Sequence, residues 1–184
     1  MNDIFFASDP HFCHNKEFLY GPRGFSNEWE MNEALIKNWN NIIKYNDIVY
    51  LLGDIMLCNN EEGLNCLRQL NGNIKIILGN HDTNNRIKLY KELYNVEILG
   101  YATVEKLNSY HFYLSHYPTL TSNTDDNDKP LKKKTINLCG HSHTSDKWYH
   151  WSQGLIYHVE FDAHKNNPVP LEVVIEDLNK QYYK

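Results

Sequence analysis

Three short apolar runs early in the chain each stop at a polar cluster. Asp3 to Ser8 reads as a buried strand that leads into Asp9-Pro10-His11. Asp47 to Leu52 (DIVYLL) reads as a second strand and leads into Gly53-Asp54. Asn73 to Leu78 (NIKIIL) reads as a third and leads into Gly79-Asn80-His81-Asp82. Between these runs the apolar spacing turns helical. Ser26 to Lys44 predicts a helix with Ser26 as N-cap, and Trp29, Leu35, Ile36, Trp39, Ile42 and Ile43 fall near one face. Asn60 to Leu70 predicts another, with Glu61 and Glu62 in the first turn, where acids suit the helix dipole. Arg86 to Tyr94 predicts a third.

The second half reads differently. Val96 to Leu107, Tyr110 to Ser115, Thr135 to Cys139, Leu155 to Phe161 and Leu171 to Ile175 predict strands with less helix between them. Two sheets stacked face to face with helices outside would bury both sets. The chain has 184 residues and no internal repeat or low-complexity linker, so one domain over 1–184 is expected. Thr121 to Lys134 is polar and charged and contains Pro130, which predicts an exposed loop.

Composition adds limits. Hydrophobic residues make up 41% and charged residues 22%, an ordinary soluble globular balance. No run approaches the roughly 18 apolar residues of a membrane span, and the N-terminus lacks a signal-peptide pattern. No membrane partner and a cytoplasmic location are therefore expected. The four cysteines form no C-x-x-C pair and are expected as free thiols, Cys66 and Cys139 as core residues, with Cys13 beside the first polar cluster. The net charge of −5 excludes a generally basic nucleic-acid binder. Cations held by the acids would reverse that sign locally.

Two further clusters follow, Ser115-His116-Tyr117-Pro118 and Gly140-His141-Ser142-His143. Ligands in open α/β sheets bind beyond the carboxyl ends of the strands, so all five clusters can converge. Mixed carboxylate and imidazole donors suit Mn, Fe, Zn or Ni better than calcium. Converging acids and imidazoles are poor packing material without cations.

In this order the motifs resemble those of the calcineurin-like metallophosphoesterases: Asp9-x-His11, Gly53-Asp54, Gly79-Asn80-His81-Asp82, His116 and Gly140-His141-x-His143. The resemblance implies a four-layer α/β/β/α sandwich of two mixed sheets flanked by helices. It implies two divalent cations, with manganese first and Fe, Zn, Ni or Mg as alternatives. Asp9, His11 and His143 would hold one cation, Asn80, His116 and His141 the other, and Asp54 would bridge them. His81 would approach the scissile phosphate and Asp82 would orient it, while a bridging hydroxide attacks a small phosphate-ester or nucleotide substrate.

Gly53-Asp54 does not continue into Asp-Arg-Gly, and the third motif ends in Asp82 rather than Glu, unlike protein phosphatases and dinucleoside-polyphosphate hydrolases. The segment Asp9-Pro10-His11-Phe12-Cys13-His14-Asn15 is similar to small bacterial and phage phosphodiesterase-type members. His158 and Glu160 depart from the pattern such proteins show near their end (His158-Val159-Glu160-Phe161-Asp162, then Pro168 and Pro170), and no role is carried to them. His14 reads either as a substrate contact or as a loop histidine. Arg23, in Gly21-Pro22-Arg23-Gly24-Phe25, reads as a phosphate clamp or a solvated loop arginine. Lys129, Lys132, Lys133 and Lys134 read as a solvated run or as a substrate-phosphate or nucleic-acid contact. Trp148 to Trp151 read as a nucleobase wall or a loop anchor. A nuclease is the alternative enzyme, and a non-catalytic metal-binding module is a third class.

Overall fold

The computed structural model describes residues 2–121, 129–149 and 155–182. Strands β1 (Ile4–Ala7), β2 (Ile48–Leu52), β3 (Asn73–Ile77), β4 (Val96–Gly100) and β9 (Val169–Pro170) form one sheet in the order β4-β3-β2-β1-β9. The first four are parallel and β9 is antiparallel to β1. Strands β5 (Ala102–Leu107), β6 (Tyr110–Ser115), β7 (Thr135–Cys139) and β8 (Ile156–His158) form the second sheet in sequence order. Here β5 is antiparallel to β6, and β6, β7 and β8 are parallel. The helices are α1 (Glu17–Tyr20), α2 (Glu28–Ile42), α3 (Asn60–Arg68), α4 (Asn84–Tyr90) and α5 (Leu171–Tyr182).

Strand alternation sorts the core into two faces. Phe5, Ala7, Val49, Leu51, Ile74 and Ile76 pack with Leu35 and Trp39 of α2 and Leu64 and Leu67 of α3. Phe6, Tyr50, Leu52 and Ile77 leave the opposite face and meet Phe112, Leu114, Ile136 and Leu138 of the second sheet. Leu171, Val174 and Leu178 of α5 join that second core. The result is two mixed sheets with flanking helices, the α/β sandwich expected from the motif series. Among the described residues no helix is long and apolar enough to cross a membrane.

Several expectations are corrected. Leu171 to Ile175 is not a strand but the first turns of α5, whose buried positions Leu171, Val174 and Leu178 repeat at three and four residues. Val96 to Leu107 is two strands in different sheets, broken at Gly100, whose φ of +108° lets the chain turn from one to the other. Only Ile156–His158 of the Leu155 to Phe161 run is strand, and a 3-10 turn follows over Phe161–His164. The N-cap of α2 is Asn27, not Ser26: Asn27 Oδ1 accepts from the Glu30 amide at 3.0 Å, and Glu30 Oε2 reaches back past the cap to accept from the Ser26 amide at 2.7 Å. Trp29 is exposed rather than on the buried face of that helix.

The parallel strands β1, β2, β3, β6 and β7 deliver all five polar clusters to one rim of the stacked sheets. The lysine run lies elsewhere. Leu131–Lys133 precede β7, and Gly140-His141 follow it, so the strand separates the two. Lys132 stacks over the Tyr110 ring and Lys134 over the Tyr182 ring, contacts that anchor this segment to the body of the fold. Residues 122–128, including Asp125, Asp126 and Asp128, lie outside the described residues.

Candidate metal centre

The chain segments after β1 and β2 keep pairing beyond the strands. The amides of Asp9, His11 and Phe12 donate to the carbonyls of Gly53, Asp54 and Ile55 at 3.1, 3.1 and 2.9 Å. This places Asp9 and His11 beside Asp54. Five of the clustered residues occupy the left-handed region: Asp9 (φ 57°), His11 (48°), Asp54 (53°), His141 (72°) and His143 (48°). Such backbone is uncommon outside glycine, and residues held there cluster at functional sites. Two glycines make room for the carboxylates. A Cβ on Gly79 would collide with Asp54 Oδ1, and one on Gly140 would collide with Ser8 Oγ and Asp9 Oδ2.

The side chains gather into two groups. In one, ligand atoms of Asp9, His11 and His143 lie within 4.8 Å of one another, and in the other those of Asp54, His116 and His141 do. Asp54 Oδ2 stands between the groups, 3.6 Å from His11 Nε2 and 3.4 Å from His116 Nε2. Asn80 Oδ1 is 3.1 Å from His116 Nε2 and so joins the second group. His11 Nε2 faces His143 Nε2 at 3.1 Å, and His116 Nε2 faces His141 Nδ1 at 3.2 Å. Asp9, His11, Asp54 and His116 are nearly fully buried.

This donor set fits cations. Asp9 Oδ1 and His11 Nδ1 are buried without a hydrogen-bond partner, and Asp9 Oδ1 lies 3.5 Å from His11 Nε2 and 3.8 Å from His143 Nε2. Burial would raise the Asp9 carboxyl, but the His11 hydrogen bond and the His116 charge outweigh it and hold Asp9 below the usual carboxylate range. Burial would lower His116, yet its hydrogen bond to Asp54 and the charges of Asp9 and Asp54 push it up to about 9. Two buried carboxylates thus stay ionised and attract positive charge.

His81 and Asp82 take different places. The His81 ring is partly exposed, with Nε2 3.9 Å from Asp54 Oδ2, and its backbone amide donates to Asp54 Oδ1 at 2.8 Å. Asp82 is buried and accepts from the amides of Gly79 (2.8 Å), Asp54 (2.9 Å) and Ile55 (3.3 Å) and from the Tyr90 hydroxyl (3.0 Å). Among the described residues no hydrogen bond joins Asp82 to the His81 ring. The expectation that Asp82 orients His81 through that ring is corrected: its lone pairs are taken up in tying the β2 and β3 loops together.

Arg23 is corrected too. Its buried guanidinium pairs with Asp162 and donates to the carbonyls of Asp9 (2.8 Å) and Pro10 (3.2 Å). These contacts use its fork inside the protein, so it is neither a solvated arginine nor a phosphate clamp. His14 does line the cleft of about 400 Å³ over the cluster, together with Phe18, Leu57, His81 and His141. Burial and the neighbouring His11 lower His14 to about 4. Trp148 packs its ring on Tyr157, centroids 4.9 Å apart, as a loop anchor. His150 and Trp151 lie outside the described residues.

Four supporting residues escaped the reading of the motifs. Ser8 Oγ donates to Asp9 Oδ2 at 2.5 Å. Arg86 donates to the carbonyls of His81 and Met56 at 2.7 and 2.8 Å. Buried Glu160 accepts from the Thr144 amide at 2.7 Å, just after His143. Asp162 Oδ2 meets His143 Nδ1 at 3.2 Å. The only signal for the last two was their place in the His158 to Asp162 segment.

Residues 3–157 match the family model described as the calcineurin-like phosphoesterase superfamily domain. The chain belongs to that superfamily. It is 41% identical over 120 residues to an uncharacterized protein of Methanocaldococcus jannaschii, covering 64% of this chain and 60% of that protein. It is 31% identical over 86 residues to the gene 66 protein of Mycobacterium phage L5, covering 45% of this chain and 41% of that protein. The chain thus matches about half the length of these curated relatives. A protein of unknown function from Aquifex aeolicus shares the fold with a TM-score of 0.67 and 21% identity, over 97% of this chain and 100% of that one. An archaeal phosphodiesterase does so with a TM-score of 0.51 and 16% identity, over 86% and 83%.

Proposed function

We propose that this superfamily member is a phosphodiesterase that works with two divalent cations. The observation that carries this is Asp54 Oδ2, set between two separate imidazole and carboxylate groups at 3.6 and 3.4 Å. Asp9, His11 and His143 would hold one cation and Asn80, His116 and His141 the other, with Asp54 placed within reach of both groups. Bound cations supply the Lewis acidity that activates water and offsets phosphoryl charge, a role for which manganese suits these donors. Oxygen and imidazole donors also admit Fe, Zn, Ni or Mg.

The protein's own groups do the rest. The partly exposed His81 imidazole protonates the leaving oxygen or hydrogen-bonds a phosphoryl oxygen. Asp82 acts through the backbone, keeping the β2 and β3 loops together so that the His81 amide stays on Asp54. Asp162 holds Nδ1 of His143 and leaves Nε2 directed at the cluster. Exposed Phe18 lines the cleft with apolar surface against which an ester substituent can rest, and exposed Tyr117 packs on His141, ring centroids 4.6 Å apart. The fold shared with an archaeal phosphodiesterase supports a diester substrate.

The test is a metal-reconstituted panel: p-nitrophenyl phosphate, bis-p-nitrophenyl phosphate, 2′,3′- and 3′,5′-cyclic nucleotides, and single-stranded DNA. Turnover of small diesters is expected. Turnover of the monoester alone overturns the diester reading, and preference for DNA turns it into a nuclease.

A further inference from the structure

Three cysteines distant in sequence meet in the core that the first sheet shares with α2 and α3. Cys13 ends the segment after β1, Cys58 ends the segment after β2, and Cys66 lies on α3. Cys13 Sγ is 3.8 Å from Cys66 Sγ, and Cys13 Sγ, Cys58 Sγ and a Glu62 carboxylate oxygen lie within 4.8 Å of one another. All the cysteines are free thiols. Glu62 and Cys66 are four residues apart on α3 and so share a face.

We propose that Cys13, Cys58 and Cys66, with Glu62, form a second, soft-metal site for a thiolate-binding cation of the zinc class, independent of the phosphoesterase centre. Two sulfurs on a tetrahedral zinc, each bonded at about 2.3 Å, stand roughly 3.8 Å apart, the separation found between Cys13 and Cys66. Cys13 is buried, Cys58 half-buried and Glu62 exposed, so the group runs from the core to the surface with donors that one cation would bind together. Asn32 supports the sulfur at the centre of the group: its Nδ2 donates to Cys13 Sγ at 3.4 Å, and its Oδ1 accepts the Cys13 amide at 3.0 Å. Outer contacts of this kind orient metal ligands. A cavity of about 450 Å³ with Trp29, Asn32, Glu62 and Cys66 in its wall gives the cation a route in.

The placement gives the site a task. Cys13 lies two residues after His11, and Cys58 lies four after Asp54. Between them the Leu57 amide donates to the Phe12 carbonyl at 3.1 Å. A cation here clamps the far ends of both loops to α3 and so fixes the segments that present His11 and Asp54.

The test uses the whole reduced protein titrated with cadmium, read by the ultraviolet sulfur-to-cadmium charge-transfer absorption, to which His and Asp donors do not contribute. A saturable band corresponding to one cation per chain is expected. It should persist in Asp54→Asn, disappear in Cys58→Ala, and require at least about tenfold more cadmium in the exposed Glu62→Gln. Far-ultraviolet circular dichroism confirms that each variant is folded. A wild-type protein without the band, or a band unchanged in both Cys58→Ala and Glu62→Gln, overturns the proposal.

Discussion

Arg23 and Asp162 meet in a two-point ion pair, Nε to Oδ1 at 3.0 Å and Nη2 to Oδ2 at 2.6 Å. Asp162 Oδ2 in turn lies 3.2 Å from Nδ1 of His143. A proton on that nitrogen leaves the Nε2 lone pair facing Asp9 and His11. Losing such an outer partner typically weakens metal binding by about tenfold to a hundredfold. Asp162→Asn is therefore expected to weaken manganese binding by that factor in calorimetric titration, with activity recovering at higher metal concentration. Arg23→Lys should follow it, because lysine cannot reproduce the planar fork. An Arg23→Lys enzyme with a raised KM and unchanged metal affinity would restore the phosphate-clamp role.

Asp54 and His81 are close but should fail differently. Asp54→Asn removes the charge shared by both ligand groups, so bound metal and activity should disappear together. His81→Ala leaves those groups intact. Its metal content should match wild type while kcat falls by about 10²- to 10⁴-fold, the usual range for a lost general acid. Metal analysis alongside steady-state kinetics on a diester separates the two, and an unchanged kcat in His81→Ala would remove His81 from the chemistry.

The residues now grouped at the rim were legible because each ends an apolar run, and a strand end is a local signal. Their supports were not. Asp162 finds Arg23 139 positions away, and no local pattern announces such a pair. Asp82 sits in a recognisable motif, but its actual partners are backbone amides and Tyr90, which only the packed loops reveal. Val173, Val174 and Ile175, within the segment expected as a strand, have β-branched side chains that suit strands. Burial of Leu171, Val174 and Leu178 on one helical face overrides that preference. In the sequence Cys13 stands out only by its closeness to His11, because its partners Cys58 and Cys66 come from other elements.

Gly140 has no room for a side chain. A Cβ there would overlap Ser8 Oγ and Asp9 Oδ2, and Asp9 Oδ2 also accepts the His141 amide at 2.8 Å. Gly140→Ala must push the Gly-His-x-His loop away from Asp9. Overpacking typically costs about 1–3 kcal/mol, so thermal unfolding should occur at lower temperature. Metal affinity should fall as well, since Asp9 and His143 separate. Wild-type metal affinity in a folded Gly140→Ala protein would show that the loop yields without disturbing the ligands.

His164 ties the second sheet's edge to the 3-10 turn, with Nε2 2.9 Å from the His158 carbonyl. Burial lowers its pKa from 6.5 to about 4, and the His158 hydrogen bond only partly offsets this. Between those two values the unfolded chain binds a proton that the folded protein does not. Stability therefore rises with pH across this interval and is lost as pH falls from 6.5 towards 4. The shift corresponds to at most about 3 kcal/mol below pH 4. His164→Gln keeps an N–H for the His158 carbonyl but does not titrate. Urea unfolding at several pH values should show wild type losing more stability than His164→Gln between pH 6.5 and 4, and parallel profiles would mean that His164 is charged in the native state.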